Sequence, residues 1–388
     1  MKVGKLDRRK LLVVGASMVL AGCQIIPKSG PVVEPLPQPL PTPTPTGSAL
    51  PTDETRHRVA LLVPMSGSNA AVGQSIANAT TMAILDTNAE NLRITTYDTA
   101  TGARSAAARA ISDGNKLILG PLMGSDVGQV LSVARPADVP LITFSNDTTV
   151  AGPDVFVMGH VPDQSVERTV RFAKSRGSNN FAAIIPDGEY GQRAEAALQA
   201  AVAANGGRYL GSEKYARGNT SIVSAAERLK SRGGFDTVLI AEGARLAGQA
   251  ASVFRPRGVG PTKLLGTELW SGESEVTRNA ALRGAWFSAV SDARFRRFSD
   301  SYGNRFGGQP YRISTLGYDA VLLTLRVARD WKPGRPFPVK ELRDQGGFLG
   351  LDGPFRFGRG GVAERAMEVR EVREGAVVIA EPAPAKFD

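Results

Sequence analysis

The chain has 388 residues, of which 42% are hydrophobic and 22% charged, and these proportions are ordinary for a folded globular protein. It contains one cysteine and two histidines, which excludes an intrachain disulfide and a metal site built on cysteine ligands. The formal net charge is +10, but the lysines and arginines are scattered among acids. No dense basic tract with interleaved aromatics occurs, so the composition argues against nucleic-acid binding.

The N-terminus has the layout of a secretory signal. Basic residues between Lys2 and Lys10 precede an apolar run, Leu11 to Ala21, which is too short to span a bilayer. The segment Leu20-Ala21-Gly22-Cys23 resembles a bacterial lipobox, and this implies cleavage before Cys23 and its lipidation. The alternative is an ordinary signal peptide with a chance cysteine. In the sorting pattern of Gram-negative lipoproteins, Gln24 favours a periplasmic protein anchored to the outer membrane over inner-membrane retention.

A proline-rich stretch follows the signal. Nine of the 25 residues from Pro27 to Pro51 are proline, so this stretch has few backbone donors and little apolar surface to bury. We expect an extended tether between Cys23 and the globular body, either a passive spacer or a functional tether. The body of about 330 residues is too large for one simple core, which predicts two lobes.

Strand-like and helix-like segments alternate through the body. This alternation predicts βαβ units and parallel sheets, and its renewal after Gly159 predicts a second sheet. The predicted strands are 57–63, 92–97, 116–119, 140–144, 181–185 and 235–241. The predicted helices are 73–86, 103–111, 125–134, 164–175, 191–204, 221–231 and 246–254.

The loops after the predicted strands carry small polar residues and side chains able to fix a ligand. In open α/β sheets, ligands bind at the carboxyl ends of strands, so these loops are the candidate site. They read PMSGSNAAVGQ (64–74), LGPLMGSDVGQ (119–129), ITFSND (142–147), IIPDGEYGQ (184–192), IAEG (240–243) and LGTELW (265–270).

In this order the segments resemble the type I periplasmic-binding fold of the leucine/isoleucine/valine-binding family, from about Arg58 to Ile379. The opening VALLVPMSGSNAAVGQ looks closest to a subset of that family, the penicillin-binding protein activators. The resemblance implies an α/β fold of two lobes, each with a parallel sheet flanked by helices, joined by crossings near residues 160, 290 and 366. It places a first lobe at 58–160 plus 291–365 and a second lobe at 161–290 plus 366–382, after the signal at 1–22 and the lipidated tether at 23–57 that the N-terminal residues indicate.

The resemblance also implies a set of ligand residues in the cleft between the lobes. Ser125, Ser145 and Asp147 match positions that hold a ligand carboxylate, Tyr190 matches an aromatic beside the ligand, and Glu268 matches an acid that pairs a ligand amine. Simpler roles stay open. Ser125 and Ser145 could cap helices, Tyr190 could pack, and Glu268 could be a surface acid.

Three positions depart from the family pattern. Asp147 stands where relatives often have a hydroxyl residue and would repel a ligand carboxylate. Gly124 stands where a second serine is frequent, and Glu242 where a second ligand-facing aromatic is found. These departures argue against binding of a simple branched amino acid.

No hydrolase elbow, P-loop, zinc-binding motif or paired catalytic carboxylates stand out, so we expect no enzyme and no cofactor. With its implied anchor and tether, the chain is interpreted as a regulator that binds a peptidoglycan synthase, a penicillin-binding protein. The alternative is a receptor that delivers an amino-acid-like solute to the permease of an ABC transporter.

Overall fold

The computed structural model describes residues 55–217, 221–258, 260–384 and 387. The signal and Cys23 lie outside the described residues, as does the tether up to residue 54. The described strands are β1 (His57–Val63), β2 (Leu92–Asp98), β3 (Leu117–Leu119), β4 (Leu141–Thr143), β5 (Val155–Val157), β6 (Asn180–Pro186), β7 (Arg208–Tyr215), β8 (Thr237–Ile240), β9 (Lys263–Leu265), β10 (Trp286–Ala289), β11 (Phe348–Gly350), β12 (Gly353–Phe357), β13 (Ala363–Arg365), β14 (Glu368–Arg373) and β15 (Ala376–Glu381). The described helices are α1 (Ala70–Thr87), α2 (Ala103–Ser112), α3 (Gly124–Ala134), α4 (Pro162–Ser175), α5 (Glu189–Ala204), α6 (Ser221–Arg232), α7 (Ala244–Phe254), α8 (Glu275–Arg278), α9 (Ala293–Phe306) and α10 (Thr315–Val327).

The first sheet is parallel throughout, in the order β2-β1-β3-β4-β5. Alternate residues of β1 enter two different cores. Val59 and Leu61 pack on one face with α1 and α10, and Ala60 and Leu62 pack on the other with α2 and α3. Because both faces of a parallel sheet are covered by helices, its strands are continuous apolar runs. Each fully buried aliphatic side chain stabilises the lobe by about 1.5–3 kcal/mol.

The second sheet has the order β15-β14-β10-β9-β8-β6-β7. On one face Ile184 and Ile240 pack with α6 and α7, and on the other Ile185 packs with α4 and α5. The predicted α/β fold, with two sheets flanked by helices, is confirmed. The second sheet is mixed, however, because β14 pairs antiparallel with both β10 and β15.

A third, antiparallel sheet of β11, β12 and β13 was not predicted. Its apolar side chains, among them Phe355 and Phe357, join the core between α10 and the first sheet, so it belongs to the first lobe. Helix α9 joins that lobe as well, since Phe298 and Tyr302 pack on α1.

The chain passes between the lobes at three places. The first passage lies between β5 and α4, the second between β10 and α9, and the third between β13 and β14. Three separate segments therefore form the hinge on which any opening of the lobes depends.

Candidate functional site

The two lobes enclose a cavity of about 450 Å³, called the cleft below. The first lobe contributes the loops after β3 and β4 and the segment before α10, and the second lobe contributes the start of α5 and the loop after β9. The carboxyl ends of parallel strands therefore face the cleft, as in other open α/β folds. The charged residues that line it are Asp147, Glu189, Arg193, Glu268, Glu273 and Arg312.

Glu268 is the acid of the second lobe with the most unusual surroundings. It is the first residue of a short 3-10 turn that follows β9. Thr267 caps the start of this turn. The hydroxyl of Tyr190 lies 3.0 Å from Oε1 of Glu268 and 2.8 Å from Oγ1 of Thr267. Oε2 of Glu268 is buried and has no partner at hydrogen-bonding geometry among the described residues. The Ser165 hydroxyl and the Glu268 backbone N–H nevertheless act to lower the pKa of this acid, against the larger effect of burial. Burial raises the pKa of Glu268 to about 7, and burial beside this acid raises the pKa of Tyr190 well above its usual value.

Arg312 is the base that the first lobe contributes. Its Nη1 donates to Oδ1 of Asp352 at 2.7 Å, and its Cζ lies 4.5 Å from the ring centre of Phe295. Burial opposes the charge of Arg312, but the carboxylates of Asp352 and Asp292 outweigh it and raise the pKa. Nη2 is buried and has no acceptor in the part of the chain that the structure describes. Nε is also buried without a hydrogen bond, 3.5 Å from Oδ1 of Asp292, so the guanidinium keeps two unpaired donors.

Behind the cleft, buried charges tie the three passages together; we call them the hinge network (His160, Asp292, Arg312, Asp319, Asp352, Arg365 and Arg370). Nε2 of His160, on the first passage, lies 2.7 Å from Oδ2 of Asp352. Arg370, just after the third passage, donates to the side chain of Asp292 and to the backbone oxygen of Val290, both on the second. Arg365, at the end of β13, donates to the backbone oxygen of Met158 at the start of the first passage, so charged groups bind the third passage to both of the others.

Asp352 is the centre of this network. Burial alone would raise the pKa of Asp352, but the nearby Arg312, His160 and Arg365 hold it well below the usual range. Burial lowers the pKa of His160 below 6.5 in spite of the Asp352 carboxylate. Burial and the proximity of Asp352 raise the pKa of Asp319. Asp352 therefore faces two guanidinium groups, those of Arg312 and Arg365, and Asp292 lies 3.5 Å from Nε of Arg312.

Arg193 joins the two lobes across the mouth of the cleft. It lies on α5, and its Nη2 donates to Oδ1 of Asn146 at 3.0 Å. Its Nη1 lies 3.9 Å from Oδ2 of Asp147 and 3.5 Å from Oε2 of Glu189. The acid of the first lobe thus faces a cation of the second lobe.

Asp147 is also held within its own loop. Its Oδ1 accepts hydrogen bonds from the backbone nitrogen and the hydroxyl of Thr149, at 3.0 and 2.7 Å. A Cβ on Gly124 would lie 3.0 Å from both Cβ of Asp147 and Oγ of Ser145, so a larger residue would require these side chains to shift by a few tenths of an ångström. The loop where relatives are expected to hold a carboxylate is filled here by the chain's own side chains.

The structure brings some of the predicted site residues together. Ser145, Asp147 and Glu268 line the cleft, and Tyr190 contacts Glu268. Ser125 and Glu242 are not among the residues that line it. Ser125 is exposed in the first turn of α3. The carboxylate of Glu242 is buried and accepts from Tyr215, from Nε of Arg217 at 2.8 Å and from the backbone of Gly243. A ligand role for any of these residues stays a prediction.

Two charged cleft residues, Arg193 and Arg312, were not predicted. Arg193 follows Tyr190 by three residues on one helix, so helical spacing from Tyr190 was a usable signal for it. Arg312 precedes a helix in a region without predicted elements, and nothing in its local sequence marks it.

None of the described helices is both long and apolar enough to cross a bilayer. The described residues contain no group of three or more histidine, cysteine, aspartate or glutamate side chains placed to hold a metal ion.

Two α/β lobes joined by three chain passages, with a polar cleft between them, are the architecture of a two-lobed ligand-binding protein. The family model described as "Periplasmic binding protein" matches residues 57–376. The chain therefore belongs to the periplasmic binding protein family.

Several solved structures share the fold. A leucine-binding protein from Thermotoga maritima is 19% identical with a TM-score of 0.66, over 85% of this chain and 99% of that one. A solute-binding protein of an ABC transporter from Rhodopseudomonas palustris, in complex with 3,4-dihydroxybenzoic acid, is 20% identical with a TM-score of 0.69, over 86% and 98%. A branched-chain amino acid transporter substrate-binding protein from Streptococcus pneumoniae, in complex with isoleucine, is 18% identical with a TM-score of 0.65, over 85% and 100%.

One curated relative is an uncharacterised protein from Rickettsia prowazekii, 28% identical over 143 residues. The match covers 36% of this chain and 38% of the relative. The chain thus spans well under half the length of that relative.

Proposed function

We propose that this protein is a non-catalytic solute-binding protein that closes its cleft on a small amino-acid-like ligand and delivers it to an ABC transporter. The ligand carries a carboxylate, which Arg312 binds, and an ammonium group, which Glu268 binds. Because these two residues belong to different lobes, one ligand would link both lobes and favour the closed state.

One observation carries the proposal. Nη2 of Arg312 and Oε2 of Glu268 are both buried without a partner among the described residues, and both side chains line the cleft. A buried donor or acceptor without a hydrogen bond is costly, so each favours a ligand that supplies the missing partner. A free donor and a free acceptor in one cavity match the two ends of a zwitterion.

The ligands of the similar structures support this class. Isoleucine and 3,4-dihydroxybenzoic acid, each named in one of those complexes, both carry a carboxylate. Only isoleucine also carries an ammonium group. Glu268 should therefore decide between these two kinds of ligand in the present chain.

Calorimetry of the purified protein against the common amino acids, benzoate and 3,4-dihydroxybenzoate tests the proposal. We expect at least one amino acid to bind, and Glu268→Gln to weaken that binding by about tenfold to a hundredfold, because a charged hydrogen bond is lost. Glu275→Gln is the matched control, since Glu275 pairs with Arg278 and does not line the cleft. Absence of binding by every compound in the panel would contradict the proposal, as would equal affinity in Glu268→Gln.

A second candidate function rests on the N-terminal sequence. The lipobox-like segment ending in Cys23 and the proline-rich tether favour a protein that is anchored to the outer membrane and stimulates a peptidoglycan synthase. The transport role agrees better with the similar structures. Under the second candidate, Cys23→Ser releases the protein from the membrane, and a penicillin-binding protein is captured with the purified body from envelope extract. Capture of a transporter permease instead would favour the first.

A further inference from the structure

A second cavity, of about 260 Å³, lies beside the third passage and shares no lining residue with the cleft. We call it the rear pocket. Four arginines and two glutamates line it, and Arg168 pairs with a further acid, Glu381. The lining arginines and glutamates are Arg168, Arg171, Arg356, Arg365, Glu167 and Glu364.

Arg365 is a buried arginine in the wall of the rear pocket. Its side chain is only 1% exposed, and its Nη2 donates to the backbone oxygen of Met158 at 2.8 Å. Its Nη1 lies 3.9 Å from Oδ2 of Asp352, which is too far for a hydrogen bond. Neither Nε nor Nη1 has an acceptor among the described residues. Buried donors of this kind favour a ligand that can accept hydrogen bonds.

The other three arginines come from both lobes. Arg168 and Arg171 lie on α4 of the second lobe, and Arg356 lies on β12 of the first lobe. Arg171 pairs with Glu167 at 3.2 Å and Arg356 with Glu364 at 2.7 Å. Arg168 is held by the backbone oxygens of Met367 and Pro382 and by Glu381, and Arg356 is only 18% exposed. Arg171 is 50% exposed, and such exposed pairs contribute little energy, so its guanidinium can turn to a ligand at small cost.

We propose that the rear pocket binds a small oxyanion of the phosphate or carboxylate class. The planar guanidinium matches two oxygens of such an anion, and two free donors of Arg365 are already in place. The volume is below the usual range for drug-sized ligands, so the anion is small. Because the pocket joins α4 to the third sheet, a bound anion links the two lobes near the hinge. The proposal does not depend on what the cleft binds.

Thermal unfolding of the full chain in inorganic phosphate or succinate, with sodium chloride at equal ionic strength as reference, tests this site. We expect either oxyanion to raise the melting temperature progressively with concentration, and chloride to do so less. Arg171→Gln and Arg356→Gln should each raise the calorimetric Kd of the bound oxyanion by about tenfold. These two side chains are more exposed than Arg365, so their replacement spares the fold.

Arg278→Gln is the matched control, since Arg278 pairs with Glu275 on α8 much as Arg171 pairs with Glu167 on α4. This variant should bind the oxyanion like the unmodified protein. Equal stabilisation by chloride, phosphate and succinate would overturn the proposal. Undiminished binding in the double variant Arg171→Gln/Arg356→Gln would overturn it as well.

Discussion

The cleft and the rear pocket border the same hinge network but differ in the groups they leave unpaired. Among the charged residues that line the cleft, the buried atoms without a hydrogen bond are Oε2 of Glu268, Nε and Nη2 of Arg312, and Nε of Arg193. In the rear pocket the free atoms are the Nε and Nη1 donors of Arg365. This difference is the reason that we propose a zwitterion for the cleft and an anion for the rear pocket.

The two cavities also share one carboxylate. Asp352 accepts from Arg312, which lines the cleft, and lies 3.9 Å from Arg365, which lines the rear pocket. When an anion neutralises Arg365, the charge of Asp352 is left to Arg312, which Asp292 also faces at 3.5 Å. The comparison therefore predicts that the two sites are coupled through Asp352, with each ligand changing the affinity of the other by the same factor.

Asp352→Asn removes the carboxylate that both cavities share. We expect it to lower the free energy of unfolding, and this is the largest effect that we predict. The substitution leaves Arg312 and Arg365 buried without their shared anion, and breaking a buried ion pair in this way costs about 3–5 kcal/mol. Urea denaturation measures the loss in the free energy of unfolding. Asp344→Asn is the control, because Asp344 is 41% exposed and lies 3.9 Å from Arg326. A loss no greater than that of the control would show that the hinge network does not stabilise the fold.

A pH series separates the two sites. The pKa of Glu268 is raised to about 7, so the acid is largely neutral at pH 6 and largely ionised at pH 8. An ammonium ligand needs the ionised form, so its Kd should fall by about tenfold between pH 6 and pH 8. Arginine stays charged throughout, so succinate binding at the rear pocket should change little between pH 7 and pH 8. An amino-acid Kd that is flat across pH 6 to 8 would contradict the role of Glu268.

Arg193→Gln tests the contact across the mouth of the cleft alone. The variant loses the ion pair with Asp147 and weakens the contact with Asn146, both on the first lobe. Partly exposed pairs are worth up to about 1 kcal/mol, so we expect the ligand Kd to rise about twofold to fivefold. X-ray scattering of the unliganded variant should show a larger radius of gyration. Phosphate binding at the rear pocket should not change, and a parallel loss there would indicate general damage to the fold.

The sequence predicted the regular parts of the fold well. Each predicted strand and helix up to Phe254 is present, with ends within about three residues. Strand β7 was missed because Arg208–Tyr215 lies at the edge of its sheet, where polar residues interrupt the apolar pattern. The third sheet was missed because its strands are short and its pairing is antiparallel.

The site residues that directly follow predicted strands could be predicted from the sequence, and those in other segments could not. Tyr190 and Glu268 lie 78 positions apart in the chain, yet both follow strands of one sheet, so their proximity follows from the topology. Arg312 and Asp352 belong to segments outside the alternating pattern, and their contact depends on how α10 packs against the third sheet. Periodicity carries no information about such a contact.

Glu268→Gln should also reveal the cost of keeping an acid in the cleft, and this is the smallest effect we expect. The pKa of Glu268 is raised in the folded state, so folding binds its proton more tightly than the unfolded chain does. The stability that Glu268 contributes is therefore present below its ordinary pKa near 4.5 and is lost as the pH rises through about 7. The neutral amide avoids that loss, so the variant should melt about 2 °C higher than the unmodified protein at pH 8. At pH 4 the two proteins should melt together, and a variant that is less stable at pH 8 would show that the ionised acid has a partner that stabilises it.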